Sequence, residues 1–368
     1  MLDVSTMDKY DTQKMYKIYD DWPNLAKKAY NSDLEPADFK NINHIIFAGM
    51  GGSGAMGDLF ESILSKTNIH VTVVKGYLLP KTVDSSTLVI VTSVSGNTVE
   101  TLTVLESAHK LDCSIIAFCS GGKIEQYCIK NKINFRIINL IHSPRASYVA
   151  YVYSILNVLH SIIPINETDV LLSINALFET CKKISSNNLT DTNPAINLTK
   201  WIYEIPIIYY PHGLQSAAIR FKASLQENSK IHVICEDVIE ACHNGIVAWE
   251  THSRVQPILL RGNDDFEKTK ERWEILKGYF NKQKIEYKEI KSESGNILTK
   301  IICLIYLLDY ASIYHAIKLE IDPTPVNAIE CIKKNLNEIK SSKNLDKSSS
   351  NEIFGLKSSS FFARSIDV

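Results

Sequence analysis

From residue 44 onward the chain alternates short, nearly continuous apolar runs with segments whose apolar residues recur at helical spacing. The runs at 44–50, 70–74, 87–93, 114–118 and 133–138 are strand-like, and helical patterns at 55–65 and 97–110 fall between them. Runs without a polar alternation suit strands buried on both faces, so the order predicts a parallel sheet wrapped by helices. Helical patterns over 148–163 and 170–184 follow, then a polar stretch at 185–194. The alternation resumes with strands at 205–210, 231–235, 255–260 and 286–290 and helices at 215–226 and 268–281. The expected fold class is therefore α/β, with two parallel sheets flanked by helices and no residue-level repeat between the two units. The expected organisation is a helical segment at 1–30, an α/β unit at 31–164, a helical connector at 165–200 and a second α/β unit at 201–340. That unit closes with a helix over 326–339, after Pro323 and Pro325, which cannot continue a preceding helix. A Ser-, Lys- and Asn-rich tail at 341–368 has the composition of a segment that does not fold alone.

Composition narrows the function classes. Forty Lys and Arg against 41 Asp and Glu leave a formal charge of −1, so no global basic field argues for nucleic acid, and any anion site must be local. The eight cysteines, Cys113, Cys119, Cys128, Cys181, Cys235, Cys242, Cys303 and Cys331, include no CxxC pair and no zinc-ligand spacing, and read as reduced thiols. The N-terminus is charged and lacks the apolar core of a signal peptide, so a cytoplasmic protein is expected and the glycosylation-like matches at Asn166 and Asn197 carry no weight. The apolar stretch 297–319 is interrupted by Lys300 and Asp309 and reads as a buried helix rather than a membrane span.

Two loops carry candidate chemistry. The first, GMGGSG at 49–54, directly follows a strand and precedes a helix, where glycines let the backbone turn sharply and unpaired helix N–H groups face an anion. A nucleotide-binding loop is the rival reading, but no Walker lysine follows. The second, SVSGNT at 93–98, offers Ser93, Ser95 and Thr98 at another helix start; taken alone it reads as an N-cap cluster. Two such loops at strand ends of one sheet are where an α/β fold places a ligand, here a phosphomonoester.

The pairing of GMGGSGAMGD with SVSGNTVETL resembles the sugar isomerase (SIS) domain, and SPRAS at 143–147 resembles the segment that follows it in the bifunctional phosphoglucose/phosphomannose isomerases. ENSK at 227–230 and HNGIVAWE at 243–250 are similar to further segments of that family, and the resemblance spans about residues 20–336. It implies two SIS domains and an aldose–ketose isomerase of glucose 6-phosphate or mannose 6-phosphate, working through a cis-enediolate without metal or cofactor. It further implies that Ser53, Ser93, Ser95 and Thr98 hold the phosphate in a pocket shaped by Gly51 and Gly52. Arg145 would stabilise the enediolate, Glu227 would carry the proton, His243 would open the sugar ring, and Lys333, or its neighbour Lys334, would assist. A homodimer in which His243 crosses to the partner's site is also implied, with no nucleic-acid or membrane partner.

Those residue types suit that chemistry. A carboxylate can remove a C–H proton and return it one carbon away; an arginine stabilises the enediolate without taking the proton; a histidine exchanges protons near neutrality. The sequence departs from the family pattern at Gly245, where glutamate is common, at Val94, where tyrosine is common, and in the irregular 210–213 turn. These changes bear on substrate preference, which residue identity does not decide. Two alternatives share the phosphate loops. The isomerase half of glucosamine-6-phosphate synthase requires a glutaminase with an N-terminal cysteine, and a non-catalytic sugar-phosphate sensor has no need of Glu227, Arg145 and His243 together.

Overall fold

The computed structural model describes residues 2–336, and the chain divides into two compact units between Thr324 and Pro325. The first unit opens with three helices, α1 (Val4–Tyr10), α2 (Met15–Asp20) and α3 (Trp22–Tyr30). An alternating region follows: β1 (His44–Ala48), α4 (Gly52–Leu64), β2 (His70–Val74), β3 (Thr87–Ser93), α5 (Val99–Ala108), β4 (Ser114–Cys119), α6 (Gly122–Asn131) and β5 (Asn134–Ile137). Three helices come next, α7 (Tyr148–Val158), α8 (Glu167–Ile184) and α9 (Pro194–Trp201). The second alternating region runs β6 (Ile205–Tyr210), α10 (Gln215–Ser224), a π-helical turn (Leu225–Ser229), β7 (Ile234–Asp237), α11 (Val238–Ala241), a 3₁₀ turn (Gly245–Glu250), β8 (Val255–Arg261), α12 (Glu267–Gln283), β9 (Lys288–Lys291) and α13 (Ile297–Lys318).

The first sheet has the order β2-β1-β3-β4-β5 and the second β7-β6-β8-β9, with every pairing parallel. Both are the expected α/β architecture. The strands are apolar on both faces because each sheet is covered on both. In β1, Ile45 and Phe47 join a large central core while Ile46 and Ala48 join a cluster on the opposite face; in β6, Ile208 and Tyr210 face that central core and Ile207 and Tyr209 a third cluster with Trp273 and Phe280. The central core also takes side chains from α3, α7, α8, α9, α10 and α13.

The α8 and α9 helices, expected as a connector, are side-chain capped by Asn166 and Asn193 and pack against α13. Helix α13 is long and apolar enough to cross a membrane, yet almost all of its residues are buried among the other helices, as a core helix requires. One strand forms away from its expected place: the 231–235 run gives β7 only over Ile234–Asp237. Its apolar residue Val233 is spent on the core before the pairing with β6 begins at Ile234, and the strand proper is an edge strand ending in Glu236 and Asp237.

In the second unit, residues 327–336 are helical and exposed, with Ile329, Ile332 and Leu336 at helical spacing. The continuation of this helix to 339 and the 341–368 tail lie outside the described residues.

Candidate active site

The strand order of the first sheet reverses direction between β1 and β3, the crevice where open α/β sheets bind ligands outside their strand C-termini. The loops leaving those two strands are the 49–54 and 93–98 motifs. Gly51, at φ 53° and ψ −125°, takes a conformation that side chains disfavour and stands as N-cap of α4 with no side-chain cap bond. Thr98 is the N-cap of α5, but its hydroxyl accepts a hydrogen bond from Ser93 Oγ (3.1 Å) rather than capping the helix. The helices elsewhere that begin at Asn166, Asn193 and Asn296 are each closed by the asparagine side chain. Both helix starts at the crevice thus lack side-chain caps; at α5 this leaves the first-turn N–H groups to serve an anion, whereas at α4 the Ser53 and Gly54 N–H groups donate to the Met50 carbonyl (3.0 and 3.2 Å).

The two loops hold each other. The Val94 N–H donates to Ser53 Oγ (3.2 Å), and Val94 itself is buried. Gly96, at φ 65°, lies so close to the next loop that a Cβ there would sit 1.7 Å from the Gly121 carbonyl. Ser95, half-buried, accepts from the Asn97 N–H at 3.4 Å. The first loop also meets the 143–147 segment: a Cβ on Gly52 would lie 3.5 Å from the Pro144 carbonyl and 3.6 Å from Arg145 Cα.

Arg145 is only 5% exposed, and its guanidinium is almost fully engaged. Nε donates to Asn228 Oδ1 (2.7 Å), Nη2 to the carbonyls of Pro323 (2.7 Å) and Thr324 (2.9 Å), and Nη1 to Glu227 Oε2 (3.3 Å). Of the five N–H groups of an arginine, four are used, and the one remaining is on Nη1, beside Glu227. Glu227 stands on the π-helical turn with its side chain 25% exposed, open to a ligand on one side and tied to a cation on the other. Such turns widen a helix locally and re-aim side chains. Beside them, Lys230 has a left-handed backbone (φ 60°), and its ammonium donates to the carbonyls of Glu227 and Pro323. Burial, then the Arg145 charge, lowers its pKa.

The structure therefore brings Ser53, Ser93, Ser95, Thr98, Gly51, Gly52, Arg145 and Glu227 into one linked set. His243 is apart from it in the hydrogen-bond network: it is exposed at the end of α11, and its imidazole has no hydrogen-bond partner among the described residues. Lys333 lies exposed in the 327–336 helix of the second unit. Gly245 packs so closely on Glu236 that a Cβ would fall 2.5 Å from its carboxylate, and this carboxyl is raised in pKa by burial and by Glu240. Among the described residues no cluster of His, Cys, Asp and Glu is arranged to hold a metal ion.

Sequence reasoning missed Asn228, Arg220 and Asp309. Asn228 is the neighbour of Glu227 that orients Arg145, and Arg220 and Asp309 form a buried ion pair (2.6 Å) behind it. The available signal was Asp309 itself, a lone acid within the longest apolar helix.

A model of the SIS domain matches residues 38–162, and one of the bacterial phosphoglucose isomerase C-terminal SIS domain matches 191–336. The chain is 31% identical to the bifunctional phosphoglucose/phosphomannose isomerase of Caldicellulosiruptor bescii over 89% of this chain and 100% of that one. It is 28% identical to the protein of the same name from Thermoplasma acidophilum, over 80% of this chain and 90% of that one. Among solved structures, the C-terminal domain of glucosamine-fructose-6-phosphate aminotransferase from Francisella tularensis shares the fold with TM-score 0.61 at 16% identity, covering 84% of this chain and 96% of that one.

Proposed function

Because the chain belongs to the bifunctional phosphoglucose/phosphomannose isomerase family, we propose that it interconverts fructose 6-phosphate with both glucose 6-phosphate and mannose 6-phosphate. The observation that carries this reading is the Arg145–Glu227 contact of 3.3 Å, in which one unspent guanidinium N–H sits beside an accessible carboxylate. Ser53, Ser93, Ser95, Thr98 and the backbone at Gly51 and Gly52 hold the phosphate. Glu227 takes a C1 proton from open-chain fructose 6-phosphate; the C–H electrons form the C1–C2 double bond, and the carbonyl π electrons move to O2. The free Arg145 N–H meets that oxygen, which gains its negative charge only as the enediolate forms. A proton passes from O1 to O2, and the Glu227 proton is delivered to C2 as the C1 aldehyde forms. C2 is planar in the intermediate, so the face that receives the proton decides between the two aldose phosphates.

His243 opens the sugar ring from the partner subunit of a homodimer, a reading in keeping with its exposure and with its lack of a side-chain hydrogen-bond partner among the described residues. Lys333 assists from the C-terminal helix. This reading makes the protein a cytoplasmic enzyme of glycolysis and gluconeogenesis. The test is a pair of coupled assays offering glucose 6-phosphate and mannose 6-phosphate separately to the purified protein. Fructose 6-phosphate should appear from both; formation from neither overturns the reading, and formation from one removes the dual specificity.

A further inference from the structure

Arg220 and Asp309 stand in the apolar layer between the two sheets, at 2% and 0% exposure. Asp309 Oδ2 accepts from Arg220 Nε (3.0 Å) and Nη2 (2.6 Å) and from the Tyr19 hydroxyl (3.2 Å), while Oδ1 accepts from Ser224 Oγ (2.6 Å). The guanidinium also lies over the Tyr148 ring, 4.1 Å from its centroid. Removing two charges from water costs so much that a well-packed apolar pair often serves stability as well or better. Stability alone therefore does not account for this pair.

Its other bonds do. Arg220 Nη2 donates to the backbone carbonyl of Arg145 at 2.8 Å, and the Tyr19 hydroxyl reaches the same oxygen at 3.4 Å. From the other end of the same helical turn, the Asp309 carbonyl accepts from Ser312 Oγ (2.6 Å), which in turn accepts from Asn228 Nδ2 (2.8 Å). Asn228 Oδ1 then accepts from Arg145 Nε (2.7 Å), and the ring of bonds closes on the residue where it began. Arg145 is gripped at its backbone by Arg220 and at its side chain by Asn228, and both grips are referred to one turn of α13. Asn228 is also the neighbour of Glu227, so the same ring sets the π-helical turn that carries the carboxylate.

We propose that Arg220, locked by Asp309, is a positioning residue that aims the free N–H of Arg145 and the carboxylate of Glu227 at the reacting carbons. This inference rests on the reading of Arg145 and Glu227 given above. A displacement of about 1 Å in such a pair is enough to cost about a hundredfold in rate, although neither Arg220 nor Asp309 touches substrate. Phosphate binding is made by other loops, so the loss belongs in kcat rather than KM.

The test replaces the ion pair by an apolar one, Arg220→Met with Asp309→Leu, and measures kcat, KM for fructose 6-phosphate and melting temperature. The same double replacement is made in an Arg145→Ala background. The expected result is a kcat lower by about tenfold or more with KM within about twofold, and a further loss of less than about twofold when Arg145 is already alanine. Tyr19→Phe, which keeps the ring stacked on Trp22 at 4.5 Å, gives the same comparison if the core replacement does not fold, with an expected loss of about threefold that vanishes in the Arg145→Ala background. An undiminished kcat, or an equal loss in both backgrounds, overturns the positioning role. If Arg145→Ala alone keeps wild-type kcat, the reading of Arg145 has failed and the inference falls with it. A crippled Arg145→Ala beside a fully active Arg220→Met/Asp309→Leu sinks the inference alone.

Discussion

Replacing Arg145 by lysine keeps the positive charge and removes the fork. The guanidinium spends its donors on four acceptors: Asn228 Oδ1, Glu227 Oε2 and the carbonyls of Pro323 and Thr324. A lysine ammonium offers three donors from one point and cannot span that set. If it reaches the two carbonyls, Asn228 Oδ1 and Glu227 lose their partner, and its third donor, fixed to the same point, is not aimed at the enediolate. Loss of one donor preorganised for a transition-state oxyanion costs about 2.7–4 kcal/mol, or roughly a 10²–10³-fold lower kcat. The structural cost is smaller. One buried acceptor left unsatisfied costs about 2 kcal/mol, which in a unit of this size moves the melting temperature by about 4 °C. The assay is a coupled rate measurement with fructose 6-phosphate alongside a thermal melt. KM should change by less than about threefold, because the loops proposed to hold the phosphate do not use Arg145. A kcat within about threefold of wild type would refute the reasoning, since it would mean that charge alone suffices at this position.

Ser95→Ala with Thr98→Ala should weaken binding of 5-phosphoarabinonate, measured by calorimetry, by about 10–100-fold while the melting temperature barely moves; unchanged binding with a collapsed melting temperature would make the loop a structural cap. Refolding a mixture of Glu227→Gln and His243→Ala chains should restore roughly a quarter of wild-type activity, because in the proposed shared-site homodimer about half the dimers carry one intact site; no recovery would mean that both residues act within one chain. His315, buried on α13, is pushed down to about 4 by burial and then by the Lys318 charge, against the Ile202 backbone. The folded state therefore holds it neutral while the unfolded chain protonates near 6.5, so its stability contribution is full above 6.5 and is lost as pH falls toward 4. Between about pH 7.5 and about pH 5 the loss is roughly 2 kcal/mol in urea unfolding, and His315→Asn should largely abolish that share of the pH dependence; an unaltered slope would contradict the assignment.

Much of the fold was legible because the strands of a doubly covered sheet advertise themselves: β1, β3, β4 and β6 are short apolar runs bounded by loops, and their residues do alternate between two cores. The displaced strand β7 shows the limit of that signal. An apolar run reports burial, and Val233 is buried without being paired. Within the site, the two loops could be read because their glycines and hydroxyls are local in sequence. The Arg145–Glu227 contact joins residues 82 apart and came into view only through resemblance to a family. The π-helical turn at Leu225–Ser229 has no sequence signature that distinguishes it from the end of α10. The Arg220–Asp309 pair is partnered across 89 residues, and a charged residue in an apolar helix tells of a partner without naming it.

The most direct measurement is solvent hydrogen exchange into fructose 6-phosphate and its aldose products, followed in deuterated water by wild-type protein and by Glu227→Gln. An amide cannot accept the C1 proton, so the variant should exchange about a hundredfold more slowly or worse while still binding 5-phosphoarabinonate within about threefold of wild type. Exchange at near-wild-type rate by Glu227→Gln would contradict the claim that this carboxylate carries the proton between C1 and C2.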